Sequence, residues 1–482
     1  MPRIDRRDFV RGVALAGLAA EAKGDDKITP VQAAAEAKDV TRRLAHYVVA
    51  SKPEDVPKLV NKEAARTLLN WVGCAVGASR HESVEIAIGA LAPFAGPAQA
   101  TLLGRKERMD VLNAALVNGI ASHIFDYDDT HLKTVIHPAG PVASAILALS
   151  EYRPVSGRDF VHALVLGVEV ECRIGNAVYP AHYDAGWHIT GTTGVFGSAA
   201  AVGKLLGLTD QQMTWALGIA ATQPVGLKEM FGTMTKSFHP GRAAQNGLTA
   251  AMLASRNFTS SEQALEAKSG WANVLSTARD YTEITKMLGQ TYEISLNTYK
   301  PYACGVVVHP AIDGCIQLRN QYNLTATQIE RIDLRVHPLV LELTGKKTPQ
   351  TGLEGKFSVY YAAAIALVEG AAGEKQFNDA LVRDPGIVAL RDRVTATVDP
   401  SVGEAQVKIA ITLKDGRRLE KTVEKVIGSV ENPMSDAALD VKFLDLTSGV
   451  LPLAQARKLL DLCWNAEMLP SAGEIAKAAA LS

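Results

Sequence analysis

The 482-residue sequence predicts a mostly α protein, a large all-helical domain carrying a smaller inserted α+β lid with an antiparallel sheet. Three observations predict it. Helix-start signals and Ala/Leu-rich segments at helical period recur from residue 29 to about 290. Period-2 alternation of polar and apolar residues replaces that texture between about 330 and 425. Residues 436–482 then return to helix. The expected organisation is a leader and linker over 1–28, a helical domain over 29–290 plus 436–482, and a lid over 291–435.

The leader begins with Arg6-Arg7-Asp8-Phe9-Val10-Arg11, continues through the weakly apolar residues 12–20, and reaches Ala20-Glu21-Ala22. Twin arginines, a short apolar run and a small-x-small site resemble a twin-arginine export signal, which implies a periplasmic destination. A cytoplasmic protein with a basic tail is the alternative. Polar residues 23–28 read as linker.

Thr29-Pro30 opens the first helix with a hydroxyl cap and a proline whose missing N–H costs nothing in the first turn. Ser156-Gly157-Arg158-Asp159 precedes another apolar run. Thr209–Gln212 and Ser260–Gln263 carry the capping-box pattern. Residues 112–124, 140–149, 197–206 and 243–254 hold apolar residues at helical spacing, with Gly and Ala where helices would touch. No repeat has a fixed period, so a bundle is expected, not a solenoid. In the lid, residues 332–336, 394–398, 406–413 and 418–423 alternate as strands, and Asp415-Gly416 between the last two signals a type I′ hairpin. Asn432-Pro433 ends the strand region.

Composition excludes several function classes. Lys+Arg number 50 against 51 Asp+Glu, so no basic surplus exists for a nucleic-acid backbone. The longest apolar runs, 142–149 and 360–368, are far below the ~20 residues that span a bilayer. The five cysteines form no CxxC pair, which removes a zinc site and a disulfide framework. Gly191–Gly197 is not a dinucleotide fingerprint, and the stretch ending at Lys204-Leu205 lacks the hydroxyl of a P-loop.

The densest polar cluster is Asp126-Tyr127-Asp128-Asp129-Thr130-His131, followed by His137-Pro138. It closes an apolar helix, where three carboxylates are costly unless paired or exposed. The helical Asp-Asp pair could hold magnesium, but position 132, where a further carboxylate would complete such a site, is Leu. Three further segments add matching groups: His188 beside Trp187 and Gly186, Lys236 to Arg242 through His239-Pro240-Gly241, and Tyr299-Lys300-Pro301-Tyr302. Lys356-Phe357-Ser358-Val359-Tyr360-Tyr361 is a fourth. Singly, each reads as structural. Together they offer cations for a polyanionic small molecule and titratable groups for proton transfer.

These segments, in this order from about residue 36 to 465, resemble the MmgE/PrpD family of 2-methylcitrate dehydratases, cis-aconitate decarboxylases and iminodisuccinate epimerases. The resemblance implies a helical domain with an α+β lid, a homodimer, and a site between the domains that needs no metal or organic cofactor. Carried over by motif, it implies Asp126, His137, His188, Lys236 and Tyr361 as catalytic residues, with Thr130 and Lys300 binding substrate; Arg242, in the same segment as Lys236, is a further cation expected to bind substrate. Where methylcitrate dehydratases usually have Asn-Asp-Thr-Trp, this chain has Asp128-Asp129-Thr130-His131, which weakens the case for methylcitrate itself.

The implied chemistry is abstraction of a proton next to a carboxylate, followed by loss of hydroxide, exchange of a carboxylate for a proton, or reprotonation from the other face. Lyase action on a small di- or tricarboxylate is expected, and epimerisation is the alternative. His137 and His188 suit the base and acid, with Asp126 orienting one imidazole; Lys236, Arg242 and Lys300 suit carboxylate binding, and Tyr361 could donate to a leaving group. A polycarboxylate-binding protein without turnover is the rival from another class, and a metal-dependent lyase is a second.

Overall fold

The structure, a computed structural model, describes residues 38–481. The leader, the 23–28 linker and the Thr29-Pro30 helix start lie outside those residues.

Six helices build most of the first layer: α1 (Lys58–Gly77), α2 (Val111–Ile124), α3 (Ala139–Tyr152), α4 (Gly157–Val178), α5 (Ile189–Leu206) and α6 (Thr235–Ala254). Local chemistry starts several of them. Asp110 Oδ1 accepts the Leu112 and Asn113 N–H groups, each at 3.1 Å, and begins α2. Ser156 Oγ accepts the Asp159 N–H at 3.1 Å and begins α4, which is buried from Phe160 to Val178. Thr209 and Gln212 close the expected capping box. The same pattern at Ser260 does not open a helix. There Ser261 Oγ accepts the Gln263 N–H in a local turn, and helix resumes only at Trp271–Leu275.

A short ribbon links the two parts of the chain that carry the polar motifs. β1 (Asp129–His131) pairs antiparallel with β2 (Asn297–Tyr299), placing Asp129 opposite Tyr299. The lid follows, with α7 (His309–Tyr322), α8 (Val359–Glu369) and the strands β3 (Ile329–Val336), β4 (Val394–Val398), β5 (Val407–Leu413) and β6 (Arg418–Val423). Their order is β4-β3-β5-β6. The sheet is mixed, not wholly antiparallel as expected, because β3 and β4 run parallel. The helical crossover between them, residues 338–391, supplies the length that a parallel connection needs. The β5–β6 hairpin also departs from type I′. Leu413 O accepts the Gly416 N–H at 2.9 Å, and only Gly416 of the turn adopts positive φ, +86°. That is a three-residue loop with glycine in the left-handed position.

Two hydrophobic clusters result. One gathers the helical residues up to Tyr299 together with Met434–Ala479, so the C-terminal segment rejoins the first layer. The other gathers lid residues from Tyr302 to Val426 and takes in Cys74, Tyr127 and Leu446 from outside the lid. The returning helix α9 (Asp436–Thr447) lies against α1, where a Cβ on Gly77 would sit 2.9 Å from the Leu446 carbonyl oxygen. No helix among the described residues is long and apolar enough to cross a membrane.

Candidate active site

The polar motifs converge beyond the C-terminus of α2, under the lid. The chain leaves α2 at Phe125 and turns through Asp126, whose φ of +50° is one that Asp tolerates better than most residues. Register does the rest. The β1–β2 ribbon carries Lys300 back to this turn, and α6 delivers Lys236 from the opposite side. Asp126 Oδ1 accepts from Lys236 Nζ at 2.9 Å and from Lys300 Nζ at 2.8 Å. Burial alone would raise this carboxyl, but the two ammonium groups outweigh it and hold it well below the usual range. In return Lys300 is raised, Asp126 and Asp128 overcoming its burial. Lys236 is lowered, because burial and neighbouring Lys300 prevail there.

Four buried histidines surround these charges. His123 Nδ1 donates to Asp128 Oδ2 at 2.7 Å, and its Nε2 accepts from Lys236 Nζ at 3.1 Å. His137 Nδ1 lies 2.7 Å from the Asp129 carbonyl oxygen, an acceptor only, so Nδ1 carries the proton. Its Nε2 lone pair therefore has no partner among the described residues. Thr190 Oγ1 accepts the His137 backbone N–H at 3.1 Å and ties that backbone to α5. His188 stands at the N-cap of α5, and its Nδ1 shares one hydrogen bond with His239 Nδ1 at 2.8 Å. Burial pushes His137 down to about 3 and His188 well below the usual imidazole range, with Lys236 adding to both. Both rings are thus neutral in the free protein. The positive end of the α5 dipole acts on His188 in the same sense.

Exposure sorts these residues into reachable and supporting groups. The side chains of His137 and Lys236 are each 10% exposed, while His123 and Asp128 are at 0%. Phe231 covers the cluster edge-on to His188, ring centroids 5.0 Å apart, and Lys236 Nζ lies 5.4 Å from its centroid. A small anionic molecule can reach His137 and Lys236 here, whereas Lys300, at 3%, acts with His123 and Asp128 only through its neighbours.

One nitrogen from each of His123, His137 and His188 lies within 4.8 Å of the others, which raises the question of a metal. The surroundings fit a cation poorly. The His123 Nε2 lone pair already accepts from Lys236, and both ammonium groups add positive charge beside the imidazoles. Such a donor set fits a carboxylate.

The structure corrects four expected roles. Asp126 orients no imidazole, because both lysines occupy it; Asp128 holds His123 instead, with its second oxygen 3.8 Å from His137 Nδ1. Arg242 lies on the exposed side of α6 and bonds Gln245, since it falls about 60° from His239 and about 120° from Lys236 around the helix. Tyr361 is fully buried within the lid and donates to the Gln376 carbonyl at 2.5 Å, beside Phe377. Neither joins the cluster. Thr130 does, but as support: its Oγ1 is 3.2 Å from His137 Nδ1, and its carbonyl accepts from Thr298.

With this geometry in place, comparison with known proteins is decisive for the family. The MmgE/PrpD N-terminal domain matches residues 42–284, and the MmgE/PrpD C-terminal domain matches 302–466. The chain belongs to the MmgE/PrpD family. It is 28% identical to a cis-aconitate decarboxylase of Aspergillus terreus over 89% of this chain and 94% of the relative. It is 26% identical to the cis-aconitate decarboxylase of Homo sapiens, over 90% and 92%. A 2-methylcitrate dehydratase of Salmonella typhimurium is 23% identical over 88% and 92%.

Several residues of this MmgE/PrpD site escape sequence reasoning. His123 lies in the last turn of an apolar helix and reads as core, though its spacing of five from Asp128 was a usable signal. His239 falls inside a singled-out segment but gains meaning only from His188. Lys442, in α9, donates to Asn70 Oδ1, the Tyr127 carbonyl and the Lys300 carbonyl at 2.7, 2.7 and 2.9 Å. Nothing in its local sequence marks it.

Proposed function

We propose that this chain is a cofactor-independent lyase that transfers a proton at the carbon next to a carboxylate of a small tricarboxylate, decarboxylating or dehydrating it. The observation that carries this reading is the His137 imidazole, locked with Nδ1–H on the Asp129 carbonyl and Nε2 free, beside the ammonium groups of Lys236 and Lys300. The names of the related decarboxylases and dehydratase support the same substrate class.

In this reading Lys236 binds a substrate carboxylate, Lys300 adds positive charge from behind Asp126, and His137 Nε2 takes the proton. A neutral imidazole held down to about 3 is a weak base until substrate arrives. Bound carboxylates bring negative charge next to it and raise it toward neutrality, so the base strengthens once its substrate is seated. Asp128, ionised on the far side, stabilises the imidazolium that forms. His188 draws on the proton it shares with His239. In dehydration it protonates the departing hydroxyl as the C–O bond breaks; in decarboxylation it protonates the carbon that keeps the electron pair as the C–C bond to the leaving carbon dioxide breaks. The lysines also stabilise the charge that develops on the carboxylate as the proton leaves.

A homodimer is part of the proposal and rests on the family resemblance; sedimentation at micromolar concentration tests it. The function is tested by incubating the purified chain with cis-aconitate, 2-methylcitrate, citrate and aspartate-like dicarboxylates, following released carbon dioxide and unsaturated acids. Turnover of a tricarboxylate, undiminished after dialysis against a strong chelator, is expected. Binding without turnover across the panel would favour the non-catalytic rival, and activity lost to the chelator and restored by magnesium would favour the metal-dependent one.

A further inference from the structure

Three successive backbone carbonyls around the Asp126 turn accept hydrogen bonds from three buried lysines. Lys356 Nζ donates to the Phe125 carbonyl at 2.6 Å, Lys300 Nζ to the Asp126 carbonyl at 3.0 Å, and Lys442 Nζ to the Tyr127 carbonyl at 2.7 Å. They come from distant parts of the chain: the lid just before α8, the residue after β2, and α9. All three are nearly inaccessible, at 1%, 3% and 6% exposure.

Two of these lysines also grip a second segment. Lys442 donates to the Lys300 carbonyl at 2.9 Å, and Lys356 donates to the Ala303 carbonyl at 2.9 Å. Each therefore bridges the 125–127 turn to the 300–303 stretch, one at either end. The Asp126–Lys300 ion pair lies between the two bridges. Lys442 is further held by Asn70 and lies 3.8 Å from the Tyr127 ring centroid, while Lys356 is paired with Glu374.

Burying an ammonium group is expensive, and helix-end carbonyls are ordinarily satisfied by water or a cap. Water would satisfy them without fixing where they lie. Here the carbonyls at the negative end of α2 meet full positive charges, an arrangement that stabilises both partners and pins the backbone. The pinned residue is Asp126, the one position of the turn with positive φ. We propose that Lys356 and Lys442 are positioning residues that rivet the Asp126 segment to the Lys300 segment and so set the ion pair of the active site. The catalytic part of this inference rests on the function proposed above; the rivet itself does not.

The test is amide hydrogen exchange on the full chain, comparing wild type with Lys442→Met and Lys356→Met. It is read on peptides covering 123–131, with strand 329–336 as the internal reference. Exchange over 123–131 is expected to rise roughly tenfold or more in each variant while the reference strand is unchanged. Unchanged exchange over 123–131, or an equal rise in the reference strand, would overturn the proposal. Should a Met variant fail to fold, Lys442→Gln and Lys356→Gln, which shorten the side chain and remove its charge so that it no longer spans both segments, are read in the same way.

A merely structural role is separated by a cycle with Asp126→Asn. The Lys442→Met loss in kcat should be about tenfold in the wild-type background and under about threefold in the Asp126→Asn background. Equal losses in both backgrounds would overturn the positioning role. If wild type converts no tricarboxylate, the proposed function falls, and the exchange measurement still decides the rivet.

Discussion

Gly119 of α2 and Gly241 of α6 meet backbone to backbone, so closely that a Cβ on Gly119 would lie 2.4 Å from the Gly241 Cα. A Cβ on Gly241 would in turn lie 2.3 Å from the Leu116 carbonyl oxygen. This contact fixes the separation of the two helices. His123 sits one turn beyond it on α2, and Lys236 lies on the first turns of α6, so the crossing sets the 3.1 Å contact between them. Packing, several residues from the chemistry, determines the geometry of the site.

Gly241→Ala should therefore act twice. The added methyl meets backbone that cannot rotate away, and overpacking of this kind costs about 1–3 kcal/mol, visible as a lowered Tm. It should also raise KM by displacing Lys236. A variant with wild-type Tm and KM would show that the crossing is slack.

The two kinds of site residue should separate kinetically. His137→Gln and His188→Gln keep polarity and size but lose the basic nitrogen, so kcat should fall ~10²–10⁴-fold with KM little changed. Lys236→Met removes a charge-assisted partner worth about 1.5–3 kcal/mol, so KM should rise roughly 10- to 150-fold. Steady-state kinetics on the best substrate checks both, and kcat within about threefold of wild type in either histidine variant would dismiss that residue as the proton carrier.

Arg242→Ala and Tyr361→Phe should leave kcat/KM within about twofold of wild type, since neither side chain reaches the cluster. Tyr361→Phe should instead lower Tm, because it leaves the Gln376 carbonyl without its donor; the net loss of one buried hydrogen bond is about 1 kcal/mol. A large kinetic effect without a stability effect would place Tyr361 back in the site.

These two residues also show what was legible in the sequence. The helical domain, the lid and the segments that converge could all be read, because apolar periodicity and capping chemistry are local. That Asp126, His137, His188, Lys236 and Lys300 would come together could be read because each stands in a dense motif. Arg242 and Tyr361 share such motifs, but the direction a side chain takes depends on helix phase and on what packs against it. Lys442 and Lys356 acquire their roles only through contacts across 315 and 231 residues of sequence. The parallel β3–β4 pair was illegible for the same reason, since alternation specifies a strand but not its partner.

Stability should depend on pH through Asp129. Burial, with Asp128 adjacent, raises this carboxyl to about 7, against opposing hydrogen bonds from Asn297 and the Ala139 N–H. A folded-state value above the ordinary 3.8 means that protonation stabilises the fold. The contribution is fully present below the ordinary carboxylate value and is lost as pH rises through about 7. Glu169 and Glu374, each also raised to about 7, act in the same sense. The readout is therefore a difference: between pH 5 and pH 8, Tm should fall less in Asp129→Asn than in wild type. Parallel Tm curves would mean that Asp129 ionises without cost.

The central claim is proton transfer by His137 at a carbon next to a carboxylate. Its most direct test is proton NMR of wild type and His137→Gln acting on cis-aconitate, 2-methylcitrate and citrate in deuterated water. Wild type should place solvent deuterium at, or remove hydrogen from, the carbon beside a carboxylate of one of these acids, and His137→Gln should slow that event ~10²-fold or more. Turnover by wild type with neither deuterium incorporation nor hydrogen loss at that carbon, or the same event at an equal rate in the variant, would contradict it.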